Sequence, residues 1–378
     1  MIQVDCDFPG GNVLFDGIEG DTVRVRQEQR DTLEYTWFYW YFRVRGAAGR
    51  KLRFEFSDPV VGVRGPGVSL DEGWRWKWLG AESGDERSFT YTFPPEADEV
   101  RLSLGMPYTQ RNWEAFVAPR AGNSHLRTST LCRSRTGRPV EWVEFGGVER
   151  EPMHRVLLTA RHHCCEMMAS YALEGVIEAT LADDETGRWL RDHVMLGAAP
   201  FMDKDGVEDG DQGKGRDPHD HNRDYAAPCI YPEVRAIRER ALALAGHGLR
   251  FHLDLHCPGM RGLHHEEIYF VGLPESAPWA RAEAFAATLE QVARGPLPYR
   301  AMDNLPFGVD WNTEATPAPS GEYRDASDWM AALPGVWFGV TIELPYANAL
   351  GAEVNAESAR AFGRDLAAAI RQHLEDAG

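Results

Sequence analysis

Between Val23 and about Leu104 hydrophobic and polar residues alternate over short runs: TWFYWYFRVRG, KLRFEFSD, WRWKWLG, SFTYTFPP and EVRLSLGMPY. Successive side chains of a strand point to opposite faces, so Leu52, Phe54 and Phe56, or Phe42 and Val44, mark the buried face of a half-buried strand. Gly, Pro and Asp clusters interrupt the runs, which is the pattern of an antiparallel β-sandwich. After about residue 140 the period changes. Apolar runs (RVLLTAR, VMLGAAPFM, LRFHLDLH, EIYFVG, VWFGVTIELP) are now separated by longer Ala-, Glu- and Arg-rich stretches such as CEMMASYALEGVIEATL, YPEVRAIRERALALA and WARAEAFAATLEQVAR. Strands alternating with helices of this length predict an α/β fold, a sheet with helices on both faces. The expected division is an N-terminal β-sandwich domain over residues 1–115 and an α/β domain over 116–378.

Composition narrows the function by exclusion. A formal net charge of −18 disfavours binding to the phosphates of nucleic acid or to an anionic membrane. No run approaches the roughly 18 apolar residues of a membrane span, and MIQVDCDFPGG lacks the basic and apolar regions of a signal peptide, so a cytoplasmic location is expected. The six cysteines include an adjacent pair, Cys164 and Cys165, but no C-x-x-C, so they are read as reduced thiols and not as a disulfide framework or a thiolate zinc site.

Polar residues gather where the central strands end. RVLLTAR runs into His162, His163, Cys164, Cys165 and Glu166; LRFHLDL runs into His256; GVTI runs into Glu343; VMLGAAPFM opens a Gly- and Asp-rich loop that ends at His221, Asn222, Arg223 and Asp224. Ligand sites of open α/β sheets lie at such carboxyl ends. An H-x-x-E taken alone is weak, because an ion pair or a helix-start Glu explains it equally well. With His256 at a second strand end and Glu343 at a third, His163, Glu166 and His256 supply two imidazoles and a carboxylate, leaving a fourth position open, as in a catalytic Zn2+ site. His162, His264 and His265 are read as packed or solvated histidines. The stretch DKDGVEDGDQGKGRDPHDHNRD is rich in oxygen donors but lacks the spacing of an EF-hand calcium loop.

Taken in order, these residues resemble the zinc carboxypeptidase superfamily of carboxypeptidase A type, in its cytosolic carboxypeptidase-like branch with a β-domain in front. The segment Ala160 to Glu166 resembles that family's strand end followed by His-Pro-Gly-Glu, with Cys164 and Cys165 in place of Pro and Gly. Pro200 to Val207 resembles its Pro-x-x-Asn-Pro-Asp-Gly-Val, Asn222 and Arg223 its Asn-Arg pair, LDLHCPG its third ligand and VTIELPY its catalytic Glu. WFYWYFRVRG, DEGWRWKW, MPYTQRNWEAF and LCRSRTGRPVEW resemble landmarks of the N-terminal domain.

The resemblance implies that the sheet is mixed and the α/β domain catalytic, removing the C-terminal amino acid of peptides or proteins, with Zn2+ on His163, Glu166 and His256 and Glu343 as general base and acid. It implies Asn222 and Arg223 as holders of the terminal carboxylate. The family's carbonyl-polarising Arg falls where this chain has Gly210, Asp211, Gln212 and Gly213; Arg216, near Lys214, is taken as its substitute, and Tyr323 as the tyrosine that closes over the substrate. Asp325 and Ser327 are expected in the side-chain pocket, admitting a basic or polar terminal residue, and the acidic net charge disfavours poly-glutamate. The competing expectations are a zinc amidohydrolase of aspartoacylase-like type acting on small N-acyl amino acids, and a non-catalytic peptide-binding module.

Overall fold

In the computed structural model, which describes residues 1–33, 36–149, 151–226, 228–313 and 325–377, ten short strands precede residue 104. They are β1 (Gln3–Asp5), β2 (Leu14–Glu19), β3 (Thr22–Arg26), β4 (Tyr41–Arg45), β5 (Lys51–Phe56), β6 (Gly67–Ser69), β7 (Lys77–Trp78), β8 (Gly84–Asp85), β9 (Ser88–Thr92) and β10 (Glu99–Ser103). Two five-stranded sheets result, ordered β1-β4-β10-β6-β7 and β2-β3-β5-β9-β8. The first is antiparallel throughout. In the second, β3 and β5 run parallel, a departure from the fully antiparallel expectation. Its reason is topological: the strand between them, β4, belongs to the opposite sheet, so the chain crosses over and returns in the same direction.

Aromatic rings from both sheets fill the space between them. Trp40 lies 4.8 Å from Phe56 and 5.9 Å from Phe89, and Phe42 lies 5.7 Å from Phe54, centroid to centroid. Burying each such ring contributes about 1.5–3 kcal/mol, and the alternation seen in KLRFEF is the direct imprint of this packing.

Helix α1 (Gln110–Val117) leads to a third, seven-stranded sheet built from β11 (Leu126–Arg133), β12 (Pro139–Gly146), β13 (His154–Ala160), β14 (Val194–Ala199), β15 (Leu249–His256), β16 (Tyr269–Val271) and β17 (Phe338–Glu343). The order is β11-β12-β14-β13-β15-β17-β16; the four middle strands are parallel and the flanking ones antiparallel, which makes the sheet mixed. Residues of β13, β14 and β17 are buried along their whole length, which explains why they read as continuous apolar runs.

The remaining helices are α2 (Met168–Leu181), α3 (Glu185–His193), α4 (Lys204–Asp209), α5 (Pro232–Ala245), α6 (Ser276–Val292), α7 (Ala326–Ala331) and α8 (Ala356–Ala377). Apolar residues of α2, α6 and α8 join the sandwich core in one cluster, while those of α5 and α7 form a second with Trp142, Leu157 and Leu249. Helices α2 and α8 cross at Gly175 and Gly363, where an added Cβ would meet backbone carbonyl oxygens of the other helix at 2.0 and 1.9 Å.

Candidate active site

Strand β13 ends at Ala160 and the chain turns sharply at Arg161, whose φ of 66° lies in the left-handed region. A non-glycine residue there costs on the order of 1 kcal/mol. The buried Arg161 guanidinium offsets it, donating to the carbonyls of Cys164 and Tyr108 at 2.9 Å each and to Ser170 Oγ at 3.0 Å. The next residues make one isolated turn, closed by the Glu166 amide on the His163 carbonyl at 3.2 Å. Helix α2 starts only at Met168, so His163 and Glu166 share a face through this turn and not through the helix that the sequence suggests.

Strands β15 and β17 are parallel and in register, with His256 directly beside Glu343. Three groups converge over these strand ends. His163 Nδ1 lies 2.8 Å from Glu166 Oε1, His256 Nδ1 lies 2.8 Å from Glu166 Oε2, and the two Nδ1 atoms are 3.2 Å apart. All three residues are buried, and Glu166 Oε2 accepts no hydrogen bond. Two ring nitrogens that each meet a carboxylate oxygen and also each other cannot all be matched donor to acceptor. A cation between them removes the conflict, and the set of two nitrogens and a carboxylate suits zinc, so the residues present fit such an ion.

The charges agree with the geometry. Burial alone would raise the Glu166 carboxyl, but His163, His256 and Lys214 hold it well below the ordinary range. Burial alone would lower His256, but Asp254 and Glu166 hold its ring well above the ordinary range. Two buried carboxylates thus demand positive charge between them. Asp220, 3.7 Å from His163 Nε2, is likewise held low against its burial, chiefly by His163. Glu343 differs: burial, reinforced by the charge of Glu166, pushes its carboxyl up to about 7, and its Oε2 is buried without a hydrogen-bond partner.

The cleft above these groups is lined by His163, His256, Glu343, Lys214, Asn222, Arg223, Asp325 and Thr341, among others. Asn222 is fixed by its Oδ1, which accepts from the Ala326 amide at 3.1 Å, and its amide donates to Asp220 Oδ1 at 3.0 Å. Arg223 follows at the end of the same short turn, His221–Arg223. Asp325 caps α7, accepting the Asp328 amide at 3.0 Å, and Ser327 sits behind the wall with its Oγ 2.9 Å from Thr341 Oγ1. Tyr323 lies outside the described residues.

Arg216 is not in this cleft. Its guanidinium donates to Asp203 at 2.6 Å and Asp211 at 3.0 Å, with Asp31 2.7 Å from Nε, and it is 5% exposed. Three carboxylates surround it, and of the two loop cations it is Lys214 that lines the cleft, its Nζ 3.4 Å from Glu166 Oε1 and 5.0 Å over the Trp37 ring. The N-terminal region sets this loop. Asn12 donates to the Gly210 carbonyl at 2.7 Å, Gln212 exchanges hydrogen bonds with the Tyr39 backbone, and Thr32 Oγ1 donates to the Lys214 carbonyl at 2.6 Å. Gly213, at φ 80°, lets the loop pass the turn before α2; a Cβ there would come within 2.5 Å of the Cys164 amide.

His264 and His265 stay outside the site, bonded to Glu267 and to the Gly259 amide. Asp254, Asp220 and Lys214 are the members that reading the strand ends overlooked. For Asp254 the signal is present, since in LDLH it shares a strand face with His256.

No family model matches the chain. An uncharacterized protein, ZMO1242 of Zymomonas mobilis, is 27% identical over 288 residues, 72% of each chain. Cytosolic carboxypeptidase 2 of Xenopus tropicalis is 25% identical over 332 residues, covering 73% of this chain and 34% of its own length, so this chain spans about a third of that relative. Among solved structures, a metallo-carboxypeptidase from Burkholderia cenocepacia superposes over 100% of both chains with a TM-score of 0.80 at 22% identity.

Proposed function

From a chain whose fold is that of the metallo-carboxypeptidases and whose homologues include cytosolic carboxypeptidases, we propose a zinc metallocarboxypeptidase that removes the C-terminal amino acid of peptides or proteins. The observation that carries the reading is the meeting of His163, Glu166 and His256 in one buried cluster, with Glu343, whose Oε2 is unpartnered, and Arg223 lining the same cleft. Residues 116–378 would form the catalytic unit, and residues 1–115 a unit that braces the Lys214 loop.

When bound by His163, Glu166 and His256, zinc supplies Lewis acidity, lowering the pKa of a water and polarising a carbonyl oxygen. Glu343 takes a proton from the attacking water and returns it to the leaving amine, a role suited to a carboxyl whose burial brings it near neutrality. Lys214 places an ammonium beside the scissile carbonyl, the role expected of Arg216. Asn222 and Arg223 hold the terminal carboxylate, for which the planar guanidinium fork is matched. The six cysteines are free thiols and the relative is named cytosolic, both of which support a cytoplasmic setting. Among the described residues no helix is long and apolar enough to cross a membrane.

The test joins metal content to end specificity. Protein purified without chelators is expected to carry one zinc, lost in His163→Ala and in His256→Ala, and to cleave a free C-terminus in preference to the amidated peptide. Retention of zinc in both variants, or equal cleavage of the two peptides, removes the reading.

A further inference from the structure

His162 stands beside His163 in sequence, and the chemistry above uses only the second. His162 is fully buried, its ring parallel to that of His256 with centroids 5.8 Å apart. Its Nδ1 lies 2.8 Å from Asp254 Oδ1 and its Nε2 lies 2.7 Å from the Tyr225 hydroxyl. The other Asp254 oxygen, Oδ2, is 2.8 Å from His256 Nε2, and Thr159 Oγ1 is 2.6 Å from Oδ1.

Protons can be assigned along this chain by elimination. An ionised carboxylate only accepts, so His162 Nδ1, His256 Nε2 and the Thr159 hydroxyl all donate to Asp254. A neutral imidazole has one N–H. Hence His162 Nε2 accepts from Tyr225, and with a cation in place of the second proton that Asp254 and Glu166 otherwise hold on the ring, His256 Nδ1 presents a lone pair towards His163 and Glu166. Each contact from Tyr225 to His256 then carries one proton and needs nothing added. His162, Asp254 and His256 also lie close enough together to ligate an ion, but their facing atoms are already matched, whereas those of His163, Glu166 and His256 are not.

We propose that His162 and Asp254 are positioning residues: the Tyr225–His162–Asp254 relay locks His256 in its Nε2–H form and so aims Nδ1 at the metal. The inference rests on the metal reading above. It goes beyond it in giving His162 a role without contact to the ion, since partners that orient a ligating imidazole commonly govern affinity.

Zinc affinity, measured by competition with a chelating dye, is expected to fall about 10–100-fold in Asp254→Asn and about tenfold in His162→Phe, which keeps the ring's bulk but has no donor. His162→Asn, whose amide N–H can take the place of Nδ1–H, is expected to stay within about threefold of the parent. A purely packing role predicts the reverse order, with Phe tolerated and Asn not. A second measurement needs no variant: nitrogen-15 histidine spectra of the zinc-loaded parent are expected to show His162 neutral, protonated on Nδ1 and unmetallated. Parent-like affinity in His162→Phe, or an Nε2–H or metal-shifted His162, overturns the proposal while zinc loss in His163→Ala leaves the metal site standing. If the parent binds no zinc, both fall. Should His162→Phe not fold, the parent's spectra decide alone.

Discussion

The aromatic core between the two N-terminal sheets and the carboxyl ends of β13, β15 and β17 are equally dry, yet they hold opposite chemistry. Trp40, Phe42, Phe54 and Phe89 are fully buried in the first; Glu166, His162 and Asp254 are fully buried in the second. In the sandwich, removal from water is itself the stabilising event. At the strand ends it is a cost, since an ionised group placed in low dielectric must find a partner or change its protonation. The carboxyls of Glu166 and Asp254 are held low by the histidines that face them, while Glu343 has no hydrogen-bonding partner on Oε2 and is pushed towards neutrality. Equal burial therefore marks stability in one region and chemistry in the other.

Substitutions can break this contrast. The largest expected effect is that of Glu343→Gln, nearly isosteric but unable to take a proton: kcat should drop about 10²–10⁴-fold with zinc content unchanged. Turnover within a few-fold of the parent would make Glu343 a structural residue and dissolve the contrast. Next, Phe54→Ala should lower stability by about 3–5 kcal/mol through the cavity it leaves, read from urea unfolding, while zinc bound per folded molecule stays constant. Zinc loss in step with the lost stability would show that the two regions do not separate.

Arg223→Ala should reduce kcat/KM on free C-termini about tenfold to a few hundredfold, the worth of one charge-assisted bond, and leave amidated peptides unaffected. An equal loss on both would place Arg223 outside terminal recognition. The smallest effect sharpens the account of Glu343. Its folded pKa of about 7 lies above its ordinary value of 4.5, so its contribution to stability is full below the lower value and is lost as pH rises through the upper one. Zinc-free parent should accordingly gain urea resistance relative to zinc-free Glu343→Gln as pH falls from about 8 to about 5. A constant difference across that range would mean that the carboxyl is solvated.

Much of this molecule is local in origin and therefore readable from the chain. Period-two alternation in KLRFEF and continuous apolar runs such as RVLLTA follow from how many faces of a strand are buried, which neighbouring residues record. His163, Glu166, His256 and Glu343 stand where such runs stop, so their placement at strand ends follows from the sequence once the strands are drawn. Their meeting requires the strand order β13-β15-β17, which no local pattern encodes.

The tertiary structure alone decided which cation faces the cleft. Lys214 and Arg216 are two residues apart in one Gly-rich loop, and nothing in their vicinity distinguishes them. The choice comes from distant partners: Asp31 and Asp203 draw Arg216 inward, while Asn12, 198 residues from Gly210, and Thr32 pin the loop so that Lys214 reaches Glu166. A side chain's direction in a loop is set by what the loop docks against. The same holds for His162 and His163, adjacent and identical in type, which the sharp turn at Arg161 sends to different partners, one to Asp254 and Tyr225, the other to Glu166 and His256.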